Sequence, residues 1–190
     1  MIARTLQRLT DSFRTVKRLS GPLLLRQPDT DEEWAQADLL INEMKEWDVQ
    51  ECQALGLDRD DVLRTFYPAD IAEIRRDSVL PNGCFLLAAD ADSILGCAAF
   101  HRLTATHCEL YDVYVRPVAR GRGVASVLLQ RLMSDAKAAG YRAMVLETAI
   151  FMQDAHRIYR ALKFQPCSPY RNIPPQFDAA TLWMECRLSG

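Results

Sequence analysis

From Val124 onward, Leu128, Leu129, Leu132 and Ala136 recur at helical spacing, and Gly140 offers a stop, so the pattern predicts a long amphipathic helix. The stretch just before it is different: Glu109–Val115 is rich in β-branched and aromatic residues and reads as a strand, within a span Cys108 to Val115. Further upstream, Asn82-Gly83 makes a turn, and Cys84–Ala89 and Ile94–Phe100 form two strands around the polar turn Asp90–Ser93. After the long helix, a strand is predicted at Ala143–Leu146. A helix follows, carrying Ala155, Ile158, Tyr159 and Leu162 at i, i+3, i+4 and i+7. Phe164 starts the next strand, and Thr181–Leu188 alternates as a final one.

The N-terminal part is helical by the same criterion. Leu23, Leu24 and Leu25 suggest a first strand; Asp29 or Thr30 then caps a helix through Trp34, Ala37, Leu40, Ile41 and Met44. A further helix covers Asp70–Asp77. Residues 1–20 place Ile2, Leu6, Leu9, Phe13, Val16 and Leu19 on one stripe, with five basic residues against the single acid Asp11. A helix packed on the domain is the favoured reading of this segment; a removable presequence and a membrane-surface helix are the alternatives. The element order is antiparallel strands followed by a βαβα unit, an α/β chain of the α+β type.

Composition narrows the classes. With 190 residues, 49% of them hydrophobic, the chain supports one cored domain, residues 21–190, behind the helix of residues 1–20. A net charge of -2 argues against nucleic acid as a partner. The six cysteines form no CxxC pair and sit in apolar surroundings, so they read as reduced core thiols. The three histidines are scattered, and no metal site is expected. No apolar run approaches the ~20 residues of a membrane span, so no stable membrane insertion is expected and a cytoplasmic location is. From Asp29 to Asp61, twelve acidic residues stand against Lys45 and Arg59. Solvated helix faces and an acidic rim that attracts a cationic substrate both remain open.

The chemistry concentrates in Arg120-Gly121-Arg122-Gly123-Val124-Ala125, a glycine-spaced basic turn opening into the long helix. Unpaired N–H groups and the dipole at a helix N-terminus attract an anion, and glycine lets the backbone approach it closely. Pyrophosphate is the natural guest. A P-loop would need Lys-Ser/Thr after the glycine, where Val124-Ala125 stand, and a dinucleotide fold would place its glycines after the first strand.

Here the chain resembles the GNAT-type N-acetyltransferases, which bind acetyl-coenzyme A. The likeness covers roughly residues 94–164. The family signature Arg/Gln-x-x-Gly-x-Gly/Ala stands as Arg120–Ala125, preceded by Tyr114-Val115-Arg116-Pro117. The second motif, Ala-x-x-Leu-Tyr followed by Gly-Phe, stands as Ala155-His156-Arg157-Ile158-Tyr159, then Lys163-Phe164. Lys163 departs from the family's glycine, and a non-glycine residue there carries the cost of a positive φ.

The resemblance implies a GNAT fold, a mixed, mostly antiparallel sheet flanked by helices. It implies that the backbone around Val113, Tyr114 and Val115 on a bulged fourth strand holds the pantetheine arm and polarises the acetyl carbonyl. It assigns Arg120, Gly121, Arg122, Gly123, Val124 and Ala125 to the pyrophosphate, with Arg116 as added positive charge. Tyr159 would contact the cofactor and act as general acid toward the departing thiolate, and Glu109 would be the general base. Asp112 and Glu147 are further carboxylates on neighbouring strands. Tyr170 and Arg171, in a proline-bounded loop, are candidates to touch the acceptor. The reaction implied is direct transfer of acetyl from acetyl-coenzyme A to a primary amine, on an amino acid, a polyamine-like metabolite or a protein. A non-catalytic acyl-coenzyme A-binding module is the alternative, and homodimer formation stays open.

Overall fold

The computed structural model describes residues 21–188, so the helix expected over residues 1–20 lies outside the described residues. Strand β1 (Leu24–Arg26) leads into helix α1 (Asp31–Ala54), whose N-cap is Thr30, its side chain accepting from the Glu33 N–H. Helix α2 (Arg59–Phe66) follows, capped by Asp58, and then α3 (Ile71–Asp77), where Asp70 and Glu73 form a capping box. Next come β2 (Gly83–Ala89), β3 (Ile94–Arg102) and β4 (His107–Val115), then α4 (Val124–Ala138), β5 (Ala143–Ala149), α5 (Gln153–Ala161), the short β6 (Gln165–Pro166) and β7 (Thr181–Arg187).

The strands form one seven-stranded sheet in the order β1-β2-β3-β4-β5-β7-β6, antiparallel except for the β4–β5 pair. This is the mixed, mostly antiparallel α+β architecture expected from the sequence. Both faces are covered. On one face α4 buries Val124, Leu128, Leu129, Leu132 and Ala136, the stripe read from the sequence, against Leu86, Phe100 and Leu146. Full burial of each leucine contributes about 1.5–3 kcal/mol. On the other face α1 lays Trp34, Ala37, Leu40, Ile41 and Met44 over Phe85, Leu87 and Ala99. A third cluster ties Val49 and Cys52 of α1 to Val62 of α2 and to Phe177.

Two local departures shape the centre. The β3–β4 register shifts between Cys97 and Ala99, and the extra residue on β4 falls at Asp112, which takes φ 50°. Leu110 and Val113 therefore both pack toward α4, while Tyr111 and Tyr114 both pack toward α1. The bulge slips the alternation by one residue, as expected of the fourth strand. The second departure is that β4 and β5 pair only over His107–Glu109 and Ala143–Val145, although β4 continues to Val115 and β5 to Ala149. Beyond Glu109 the two strands part, and the sheet opens between them.

The strand expected from Phe164 is displaced: Phe164 is buried in the core, its N–H on the Tyr159 carbonyl, and pairing begins only at Gln165. The cause is the end of α5. Lys163 adopts φ 72°, and the Phe164→Tyr159 and Lys163→Arg160 backbone bonds close a Schellman motif.

Candidate active site

The opening between β4 and β5 is one end of a cavity of about 420 Å³, floored by Glu109–Val113 and Glu147–Ala149 and roofed by α1 and α2. One stripe of α1, comprising Ile41, Met44, Lys45, Asp48 and Cys52, faces it. Leu110–Val113 lie past the last paired residue of the β4–β5 ladder, so a ligand's amide groups can take the place of the missing strand.

Glu109 lies on the cavity wall and is 9% exposed. Its Oε1 accepts the Tyr170 hydroxyl hydrogen bond at 2.7 Å, and its Oε2 lies 3.2 Å from His101 Nε2, the residue opposite it in the β3–β4 register. Burial alone would raise its pKa, but the hydrogen bonds from His101 and Tyr170 and the charge of Arg171 outweigh it. The carboxyl is held below its usual range. His101 has its ring 4.7 Å from that of Tyr111. In the sequence His101 is one of three scattered histidines; the signal that marks it is its cross-strand position, available only once the hairpin register is known.

Tyr159 also lines the cavity, from α5, and is 5% exposed, its ring 5.8 Å from Phe164. Burial pushes its phenol well above the ordinary value, so the hydroxyl keeps its proton. The structure thus brings Glu109, Val113 and Tyr159 to one cavity. Burial raises the pKa of all six thiols, Cys52 to about 12, and none carries thiolate character.

Arg171 does not stand free for an acceptor carboxylate. Its guanidinium is paired with Glu147 through two nitrogens, bonds the Thr65 carbonyl at 3.4 Å, and lies over the rings of Phe66 and Trp183. Burial raises the Glu147 carboxyl above its usual range despite this partner. The ion pair fastens the proline-bounded loop to β5 and α2.

From the cavity, β4 runs on into the glycine turn. Gly121 and Gly123 take φ 74° and 79°, and Gly123 is the N-cap of α4 with no side chain bonded to the helix N-terminus. The first N–H groups of α4 therefore lack a protein cap, and a Cβ on either glycine would point into open space. Arg122 Nε is buried without a hydrogen-bond partner. Arg120 donates to the Val115 carbonyl at 3.0 Å and stacks on Trp47 and Tyr114, which fixes the entry to the turn. Arg116 is otherwise engaged: it forks onto Glu43 of α1, at 2.7 Å for the closest pair, and onto the Ile94 carbonyl. An uncapped helix, two left-handed glycines and an orphaned guanidinium nitrogen fit a diphosphate.

Among the described residues, no group of three or more His, Cys, Asp or Glu is arranged to hold a metal ion, and no helix is long and apolar enough to cross a membrane.

A model of the acetyltransferase (GNAT) family matches residues 39–164. A protein named IAA acetyltransferase from Azospirillum brasilense is 31% identical over 129 residues, 66% of this chain and 83% of that one. An uncharacterized N-acetyltransferase from Schizosaccharomyces pombe is 33% identical over 96 residues, 50% of this chain and 59% of the yeast protein's own length. Among solved structures, a GNAT-family acetyltransferase from Staphylococcus aureus Mu50 superposes with a TM-score of 0.69 at 17% identity, covering 88% of this chain and all of that one. YncA from Salmonella typhimurium, solved with its cofactor acetyl-CoA, gives a TM-score of 0.58 at 17% identity over 88% of this chain and 94% of its own.

Proposed function

The chain belongs to the acetyltransferase (GNAT) family, and from that premise we propose that it transfers an acetyl group from acetyl-coenzyme A to a primary amine in a ternary complex. The observation that carries this reading is the continuity of β4: one strand joins a cavity holding a carboxylate and a protonated phenol to an uncapped glycine turn. Bound acetyl-coenzyme A supplies the activated acyl group. Gly121, Arg122, Gly123 and the N–H groups of Val124 and Ala125 hold its diphosphate, and the backbone of Val113–Val115 lies along its pantetheine arm. Backbone N–H groups fixed at the bulge donate to the carbonyl oxygen as it gains charge, which is the large electrostatic contribution in acyl transfer.

The residues divide the proton work. An alkyl ammonium is only ~0.1% neutral at pH 7, a deficit of roughly 4 kcal/mol, so the nucleophile needs a base. Glu109, held ionised by Tyr170 and His101, draws the ammonium in and accepts its proton. His101, hydrogen-bonded to the same carboxylate and partly exposed, passes the proton on to water. Tyr159, protonated because it is buried, gives a proton to the departing thiolate. A direct attack suits the thiols' raised pKa values, which leave no cysteine prepared for an acyl-enzyme.

The test is thiol release from acetyl-coenzyme A across a panel of primary amines. Wild type should turn over at least one amine, and Tyr159→Phe should lower kcat by about 10²-fold with acetyl-coenzyme A affinity unchanged. Binding of acetyl-coenzyme A without thiol release for any amine would overturn the catalytic reading.

A further inference from the structure

The open edge of β4 ends on an arginine. At the close of the strand, the Arg116 N–H donates to the Leu95 carbonyl of β3 at 2.8 Å. In a trans peptide the carbonyl points the opposite way, so the Val115 C=O faces the gap between β4 and β5. Arg120 Nε donates to that carbonyl at 3.0 Å. Strand-like pairing along the gap therefore stops at Val115, and the Arg120 guanidinium stands where the strand edge gives way to the glycine turn. Among the described residues, its two terminal nitrogens have no hydrogen-bond partner.

What holds it there comes largely from α1. Arg120 is exposed, and an exposed arginine ordinarily samples many rotamers. Here its guanidinium lies 5.5 Å from the centre of the Trp47 ring and 5.9 Å from that of Tyr114. Both rings are fixed in turn. Tyr114 is buried and hydrogen-bonded through its hydroxyl to Glu43, one turn before Trp47 on α1, and Glu43 also takes the Arg116 fork. Trp47 meets Phe151 edge-on, with ring centres 5.8 Å apart. Phe151 follows β5 as Arg120 follows β4, so one indole touches the chain on both sides of the gap. Trp47 also stands beside the fully buried stripe of α1, not on it, so the core does not require a large ring there.

We propose that Trp47 is a positioning residue for the cofactor. It holds Arg120 at the corner where the pantetheine arm leaves the β4 edge and the diphosphate enters the glycine turn. The inference rests on the reading of acetyl-coenzyme A as the cofactor. A guanidinium ordered before binding offers its unengaged N–H donors to a diphosphate without first losing rotamer freedom. Trp47 acts through Arg120, not on the ligand.

Calorimetric titration of the full chain with acetyl-coenzyme A tests this as a double-mutant cycle. Trp47→Leu keeps an apolar, helix-forming side chain but removes the π face, and should weaken binding about five- to tenfold. Trp47→Phe keeps a ring over the guanidinium and should stay within about twofold of wild type. Arg120→Ala should weaken binding about tenfold or more. Adding Trp47→Leu to Arg120→Ala should then change the affinity less than about twofold, because nothing is left to position. Trp47 is half-buried and outside the buried stripe, so these replacements leave the core intact, and unfolding curves on each variant establish that it folds. An equal loss from Trp47→Leu with and without Arg120, wild-type affinity in Trp47→Leu or in Arg120→Ala, or Trp47→Phe as weak as Trp47→Leu, overturns the positioning role. The two readings fail differently. A wild type that does not bind acetyl-coenzyme A removes the cofactor reading and this inference with it. Binding with additive losses keeps the cofactor reading and removes only the role of Trp47.

Discussion

Asp112→Asn should stabilise the protein at pH 8. Burial raises the Asp112 carboxyl from 3.8 to about 6, against the opposing charges of Lys45 and His101. The folded state therefore holds this proton more tightly than the unfolded chain. Below about pH 3.8 the group is neutral in both states and costs nothing; between 3.8 and 6 only the unfolded chain ionises, and stability falls; above 6 the loss is complete. At 1.36 kcal/mol per pK unit the loss is roughly 3 kcal/mol. Asparagine removes the charge and tolerates the left-handed φ of 50°. Its amide is left without a partner, which costs about 1 kcal/mol. The net expectation is a gain of about 2 kcal/mol at pH 8, which vanishes as the pH falls and becomes a loss of roughly 0.5 kcal/mol at pH 4, where the charge costs only about 0.6 kcal/mol. Urea unfolding of both proteins at the two pH values measures it, with equal m-values confirming a common denatured state. A variant less stable than wild type at pH 8, or a difference independent of pH, would refute the reasoning.

Other expectations are simpler. Lys163→Gly removes the left-handed strain at the C′ position of α5 and should add about 1 kcal/mol, a rise in Tm of about 2–4 °C in a chain of this size. Arg171→Ala strands the Glu147 carboxylate; because the pair is partly exposed, the loss should be about 2–3 kcal/mol in urea unfolding, less than for a fully buried pair. A loss under ~0.5 kcal/mol would mean that the pair is only a surface contact. Gly123→Val, which puts a β-branched side chain at φ 79° on the helix N-terminus, should abolish acetyl-coenzyme A binding while circular dichroism remains folded.

The sequence carried the helices and strands well wherever one face is buried. The stripe of α4, the Thr30 cap and the order of strands are local, and period and capping chemistry report them directly. The glycine turn was legible for the same reason, since its left-handed residues, Gly121 and Gly123, stand two apart in one short segment. Helix α2 escaped because two acids and two arginines in eight residues mask its single buried position, Val62. The site was only partly legible. Tyr159 sits in a recognisable motif and Glu109 on the strand that leads into the glycine turn, but the His101–Glu109 contact depends on hairpin register, and the Arg171–Glu147 pair joins residues 24 apart. Asp48 carried a readable signal. It lies four residues from both Met44 and Cys52, on the buried stripe of α1, a position where an acid contradicts the pattern. The dense acids around it made that contradiction look like solvated surface.

The most direct test of the account is calorimetric titration of the purified chain with acetyl-coenzyme A, with ATP as comparator. The account predicts saturable binding of acetyl-coenzyme A and none of ATP, since the site combines a diphosphate turn with a strand edge for the pantetheine arm. Absence of acetyl-coenzyme A binding, or equal binding of ATP, would contradict it.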